Sequence, residues 1–194
     1  MCIRDRNHPL GALDGVALIR FFGHFYSGKI KFLVNDLLMH IKPLAPVFLP
    51  INKYGSQAKE SSLQINNAYE SDEQMLIFPA GLCSRLQHGK IKDLEWKKTF
   101  IAKAVQSQRD IIPIYFEGRN STFFYRFAQI RKCIGLKFNI ELIYLPDEMF
   151  NSKNKTFDIY IGKPIPWQTF DKSKSLQEWA QIVKEKVYQI KKNQ

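Results

Sequence analysis

The sequence predicts an α/β domain built on a largely parallel or mixed central sheet flanked by helices. Short apolar runs rich in Ile, Val, Leu and Phe alternate with segments of helical periodicity, the pattern of strands that are each followed by a helix. At 194 residues and 45% hydrophobic content, the chain suffices for one domain with a sizeable core. Its 10 Gly and 9 Pro exclude a fibrous or disordered class.

In chain order, residues 1–6 (MCIRDR) are polar and read as neither a signal peptide nor a strand. They are expected to be poorly ordered, and they are a candidate non-native start. The single domain is then expected over 7–194, lacking its N-terminal part and less stable than its parent, because nothing upstream supports a turn at His8. Residues 14–25 read as a helix, with Asp14 at its start and Val16, Ala17, Ile19, Arg20, Phe21 and Phe22 showing no strand alternation. A short strand over 29–34 precedes a small helix over 36–40. Pro43 and Pro46 bracket a turn into a second strand over 47–49. Residues 56–69 are polar and suit a surface helix. A third strand over 75–78 enters the loop Pro79-Ala80-Gly81.

Leu94, Trp96, Phe100, Ala104 and Val105 recur at about 3.6 residues and mark an amphipathic helix. Residues 111–116 form the next strand, ending at Glu117-Gly118-Arg119. A helix over 121–134 is aromatic on one side. Strands are expected over 137–145 and 156–161, the latter with alternating Phe157, Ile159 and Ile161. After Pro164 and Pro166, Leu176, Trp179, Val183, Val187 and Ile190 form the stripe of a C-terminal helix. Lys184, Lys186, Lys191 and Lys192 lie opposite that stripe, which suits packing on the sheet more than lying on a membrane.

The formal charge of +11, from 29 basic and 18 acidic residues, directs the surface towards anions: nucleic acid, anionic lipid headgroups or phosphorylated substrates. A nucleic-acid-binding module would cluster its Lys and Arg on one element with interleaved aromatics. Here they are scattered, so no nucleic-acid partner is expected. Three cysteines (Cys2, Cys83, Cys133) without a CxxC pair, and histidines without ligand spacing, argue against a disulfide framework or a metal site and fit a reducing cytosol. Cys83 is expected to be an inert small residue. No apolar stretch approaches the roughly 20 residues of a spanning helix.

Two segments carry chemistry, and both fall where predicted strands end, the position at which open α/β sheets gather their ligands. The first, Asn7-His8-Pro9-Leu10-Gly11-Ala12-Leu13-Asp14-Gly15, offers a general base and a carboxylate to fix its tautomer. The competing structural role for Asp14 is to start its helix. The second, Phe78-Pro79-Ala80-Gly81-Leu82-Cys83-Ser84-Arg85, is a glycine loop ending in a guanidinium, suited to an anionic group.

Together these segments resemble the glycerolipid acyltransferase family, the enzymes that esterify lysophosphatidate and related lyso-lipids. The resemblance runs from Asn7 to about Gly118 and implies a glycerol-3-phosphate acyltransferase-like fold. It implies that His8 is the base, Asp14 its partner, and Gly81, Ser84 and Arg85 an anion site. The family's usual signature has one residue fewer between His and Asp, and Gly11 is expected to absorb the extra one in a backbone conformation closed to other residues. Ala80 stands where the family most often has Glu, which opens the acceptor's headgroup to alternatives. Lys53, after the strand over 47–49, is the nearest cation where the family has a substrate-contacting Arg. Residues 111–118 resemble the block lining the acyl site, adding Gly118 and Arg119. The implied reaction transfers an acyl group from acyl-CoA or acyl-carrier protein to a lyso-lipid hydroxyl, without a metal or cofactor. Its place would be an anionic membrane surface, peripheral, on the cytoplasmic side. Lysophosphatidate leads as acceptor; a lyso-aminoacyl lipid of ornithine or glycine type, or an inactive relative, are the alternatives.

Overall fold

The computed structural model describes all residues except Met1, Ala12, Asn35, residues 52–56, residue 137 and residues 192–194. Its strands are β1 (Cys2–Arg6), β2 (Ile30–Val34), β3 (Phe48–Pro50), β4 (Gln74–Ile77), β5 (Arg85–Gln87), β6 (Lys90–Lys92), β7 (Asp110–Phe116) and β8 (Ile159–Ile161). Its helices are α1 (Leu13–Phe25), α2 (Gln57–Glu70), α3 (Thr99–Gln106), α4 (Thr122–Cys133), α5 (Leu145–Phe150) and α6 (Leu176–Ile190). Six strands form one sheet in the order β3-β2-β4-β1-β7-β8, and β5 and β6 pair as a separate hairpin. The first five strands of that order run parallel, and β8 closes one edge antiparallel to β7.

A parallel sheet is covered on both faces. On one face Ile3, Met75, Ile77 and Ile111 pack with Trp96, with Phe100 and Ile101 of α3, and with Val183 and Val187 of α6. On the other, Leu18 and Phe22 of α1 meet Phe32, Leu76, Ile114 and Phe116. The alternation of apolar runs with helical segments thus yields the expected mixed α/β layering.

Three local expectations are corrected. Cys2–Arg6 is a strand, and a central one, paired to β4 and β7 with Ile3 opposite Met75 and Ile111. Its charges hid it. Arg4 Nη1 donates to Gln74 Oε1 at 2.6 Å, and the Arg6 guanidinium lies 4.6 and 4.3 Å from the ring centroids of Phe32 and Phe78. Burial pushes the Asp5 carboxyl well above the usual carboxylate range, against the pull of Arg6. Pairing with a strand on either side overrides the low strand propensity of such residues.

The strand expected over 137–145 is instead a 3-10 helix, Ile140–Tyr144, running into α5. Leu142 and Leu145, three residues apart, pack against Cys83, Phe124 and Tyr125, while Glu141 turns inward to Arg85 and Arg131. That is a period of three, not two. Finally, the helix expected from Leu94 onward begins only at Thr99, because Trp96 is buried within an irregular segment and donates its indole N–H to Asp93 at 2.9 Å.

Asn7 extends the β1–β7 pairing by one residue. Its Nδ2 donates to the Phe116 carbonyl at 2.9 Å and its Oδ1 accepts the Phe116 N–H at 2.7 Å. Asn7→Ala leaves both buried backbone groups without their partner, so urea unfolding is expected to show a loss of about 2–4 kcal/mol. An unchanged midpoint would show that water replaces the amide at no cost.

Candidate active site

Because β4, β1 and β7 are neighbours and parallel, their C-terminal ends share one edge of the sheet. The turn after β1 carries Asn7 and His8, the loop after β4 carries Gly81 and Ser84, and the loop after β7 carries Gly118 and Arg119. The topology therefore gathers segments far apart in sequence.

His8 and Asp14 meet. The His8 Nδ1 lies 3.0 Å from Asp14 Oδ2, with side-chain exposures of 10% and 0%. Asp14 Oδ2 also accepts the Leu10 N–H at 3.1 Å, and Oδ1 accepts the Gly15 N–H at 2.8 Å. Burial alone would push this carboxyl up, but His8, the Leu10 N–H and the Arg6 guanidinium outweigh it and hold it below its ordinary value. An anionic Asp14 at Nδ1 assigns the proton to that nitrogen and leaves Nε2 as the basic one. The imidazole stacks on Phe78, with centroids 3.5 Å apart and planes at 27°.

Gly11 makes the longer turn possible. Its φ is +84°, and a Cβ there would sit 2.8 and 2.9 Å from the two Leu145 methyls. That conformation favours glycine, and a side chain there would also have to displace Leu145. A Cβ at Gly118 would likewise lie 3.1 Å from Leu10, so the loop after β7 closes tightly on the turn bearing the histidine.

The remaining expected residues divide. Ser84 adjoins His8 directly: its N–H donates to the His8 carbonyl at 2.7 Å. Ser84, Gly118 and Arg119 line a recess of about 260 Å³ together with Asn7, Tyr115 and Tyr188. Gly81 sits at φ +69°, turning the loop. Arg85 does not point an open guanidinium at that loop. Nη2 donates to the buried Glu141 at 2.8 Å, and Nη1 lies 3.1 Å from the Cys83 carbonyl and 2.7 Å from its Sγ. Lys53 lies outside the described residues.

Sequence reasoning missed Asp93. This buried carboxylate accepts the His8 N–H at 3.1 Å, the Ser84 hydroxyl at 2.5 Å and the Trp96 indole N–H at 2.9 Å. Burial raises its pKa even against these donors. Its own N–H donates to Tyr188 Oη at 2.8 Å, and Lys184 Nζ donates to its carbonyl at 2.9 Å. Nothing in the local sequence marks it, since it is one acid in a lysine-rich hairpin. Lys97 was also missed. Its Nζ is 3.1 Å from where a Gly81 Cβ would sit, and its N–H donates to the Pro79 carbonyl at 3.1 Å.

A histidine braced by a buried carboxylate, beside a glycine-turned loop with a cation over it, has the parts to move a proton near an anionic group. The chain belongs to the acyltransferase family, whose model (described as Acyltransferase) matches residues 3–194. It is 57% identical over 184 residues to a lyso-glycine lipid O-acyltransferase of Bacteroides thetaiotaomicron, covering 95% of this chain and 68% of that protein. A protein of the same description from Phocaeicola vulgatus is 54% identical over 189 residues, covering 97% of this chain and 68% of its own length. Among solved structures, the 1-acyl-sn-glycerophosphate (LPA) acyltransferase PlsC of Thermotoga maritima matches with a TM-score of 0.54 and 17% identity, over 98% of this chain and 66% of that one. That last likeness bears on the fold, which is shared.

The lowered Asp14 pKa has a direction in pH. Its ionised form contributes stability in full above the unfolded carboxyl value, and that contribution is lost as pH falls through the lower folded value. Asp14→Asn is therefore expected to be less stable than the parent at neutral pH by about 1–3 kcal/mol. The gap should narrow below about pH 4. Urea titrations at several pH values measure it, and a gap independent of pH would remove the charge from the account.

Proposed function

We propose that this protein acylates the hydroxyl of a lyso-lipid at a membrane surface, with His8 as general base. The observation that carries the reading is the buried His8–Asp14 pair at 3.0 Å. His8 Nε2 takes the proton of the acceptor hydroxyl as its oxygen attacks the thioester carbonyl of acyl-CoA or acyl-carrier protein. The C–O bond forms, the C–S bond breaks, and the imidazolium returns the proton to the departing thiolate. Asp14 holds the tautomer and stabilises the imidazolium between these events. The proton route uses these two side chains, without a metal or cofactor.

The acceptor we favour is a lyso-glycine lipid. The two relatives above 50% identity carry that description, whereas the likeness to PlsC supports only the fold. The charge at the loop agrees. With Arg85 engaged by Glu141, the ammonium over Gly81 is that of Lys97, a point charge able to meet the carboxylate of a glycine headgroup. In this reading Gly81 and Lys97, with the recess lined by Ser84, Gly118 and Arg119, receive the headgroup. Arg85 keeps the loop in place. Among the described residues no helix is long and apolar enough to cross a membrane, and the protein is proposed to work peripherally on the anionic cytoplasmic face.

His8→Ala is expected to lower acyl transfer by roughly 10²–10⁴-fold while retaining a cooperative unfolding transition. Thiol release from an acyl thioester, measured with a lyso-glycine lipid present, reads the rate. Near-normal turnover would place the base elsewhere.

Presented side by side, a lyso-glycine lipid is expected to be acylated with the higher kcat/KM and lysophosphatidate with the lower. The reverse order would overturn the acceptor assignment and leave the reaction class standing.

A further inference from the structure

Exposed large apolar side chains are unevenly placed. Phe123, Ile130, Ile134, Phe138, Ile143 and Phe150 all project from α4, the 3-10 helix Ile140–Tyr144, α5 and the turns joining them. Phe138, Ile143 and Phe150 are 81%, 75% and 72% exposed, and Phe150 lines a hollow with Phe123 and Tyr144. Phe123 stacks with Phe127 at 5.8 Å, and both meet Tyr144 edge-on, so the aromatic part of the face is held in a fixed arrangement.

The same segment is cationic at its margin. Arg126, Lys132, Lys153 and Lys155 are exposed there, and Asp147 is the exposed acid. Glu141 is neutralised by Arg85 and Arg131, while Glu148 accepts the Ser121 N–H at 2.7 Å and lines, with Asp147, a hollow beside Phe123 and Phe150, so the cations there still outnumber the free acids. Arg126 also shares a shallow hollow on the outer side of α4 with Ile130 and Ile134. Apolar side chains with cations beside them suit a lipid interface, where the chains enter the acyl boundary and the cations meet headgroups.

The face is also continuous with the site. Leu145 lies against Gly11 in the turn that carries His8, and the Arg85–Glu141 pair ties the 3-10 helix to the glycine loop. We infer that the face formed by α4, the 3-10 helix and α5 is where the protein docks on an anionic lipid bilayer. The occupant is the bilayer itself, not a second copy of the chain. Docking there would set the His8 edge of the sheet at the membrane, so that an acceptor could be acylated without leaving it. This rests on the lyso-lipid reading for its purpose, but not for its measurement.

The test uses the whole chain and a triple variant, Phe138→Ser, Ile143→Ser and Phe150→Ser, whose side chains are too exposed to contribute much to folding. Co-sedimentation with phosphatidylcholine vesicles containing phosphatidylglycerol is expected to fall at least about tenfold in the variant. The parent should bind pure phosphatidylcholine vesicles more weakly and lose binding to anionic ones as salt rises. Acylation of a short-chain, water-soluble acceptor should be unchanged in the variant. Equal vesicle binding by parent and variant would overturn the assignment. So would a parent that self-associates in light scattering and is made monomeric by the three substitutions while its vesicle binding is unaltered. Vesicle binding that depends on these residues, in a protein acylating none of the lyso-lipids offered, would sustain the docking face and refute the proposed reaction instead.

Discussion

Asp14 has no access to solvent, so its charge must be met by the protein, and the groups that meet it organise the surrounding structure. The donors come from both sides of one turn: His8 and the Leu10 N–H before it, the Gly15 N–H after it, with Arg6 behind. For all of them to converge, the chain must leave β1, reverse within a few residues and enter α1 on a fixed path. Gly11 allows the reversal, and the side chain of Asn7 keeps the end of β1 tied to β7 while it happens. A buried carboxylate left without such donors would be protonated or would destabilise the fold. The orientation of the histidine is thus a by-product of meeting a desolvated charge.

The second buried carboxylate works differently. Asp14 faces the imidazole, whereas Asp93 holds the backbone from which the imidazole springs. It joins the turn after β1, the loop at Ser84 and the segment at Trp96 through three donors. The two carboxylates also differ in pKa direction: Asp14 is lowered and Asp93 raised. The difference follows from the partners. Asp14 has a direct side-chain contact to the imidazole and a nearby guanidinium, whereas Asp93 is held by a hydroxyl, an indole and a backbone N–H, and there burial prevails.

Much of this was legible in the sequence, and what was not has physical causes. Apolar runs over β2, β4 and β7 announced the parallel layers, because strands covered on both faces cannot afford polar residues along their length. β1 breaks that rule with Arg4, Asp5 and Arg6, and only the neighbours that pair and stack with them explain why the strand exists. His8 and Asp14 lie within one turn, but their spacing alone favoured a helix-start role for Asp14, and it took the glycine loop over 78–85 beside them to favour the pair. Asp93 and Lys97 could not be found in this way, since their partners are remote and a single acid or lysine carries no pattern. Arg85 illustrates the reverse case. Its place at the end of the glycine loop suggested a ligand contact, and its pairing with Glu141 was hidden because that residue lies in a segment read as a strand.

The support of Asp93 by α6 has a consequence in time. Tyr188 accepts from the Asp93 N–H and Lys184 donates to its carbonyl, while Asp93 in turn fixes the His8 backbone. A nascent chain emerging from the ribosome presents the histidine motif before α6. It cannot finish the geometry around that motif until α6 has been synthesised and has docked. The turn bearing His8 therefore depends on two elements far apart in the sequence, β1 at its base and α6 as its brace.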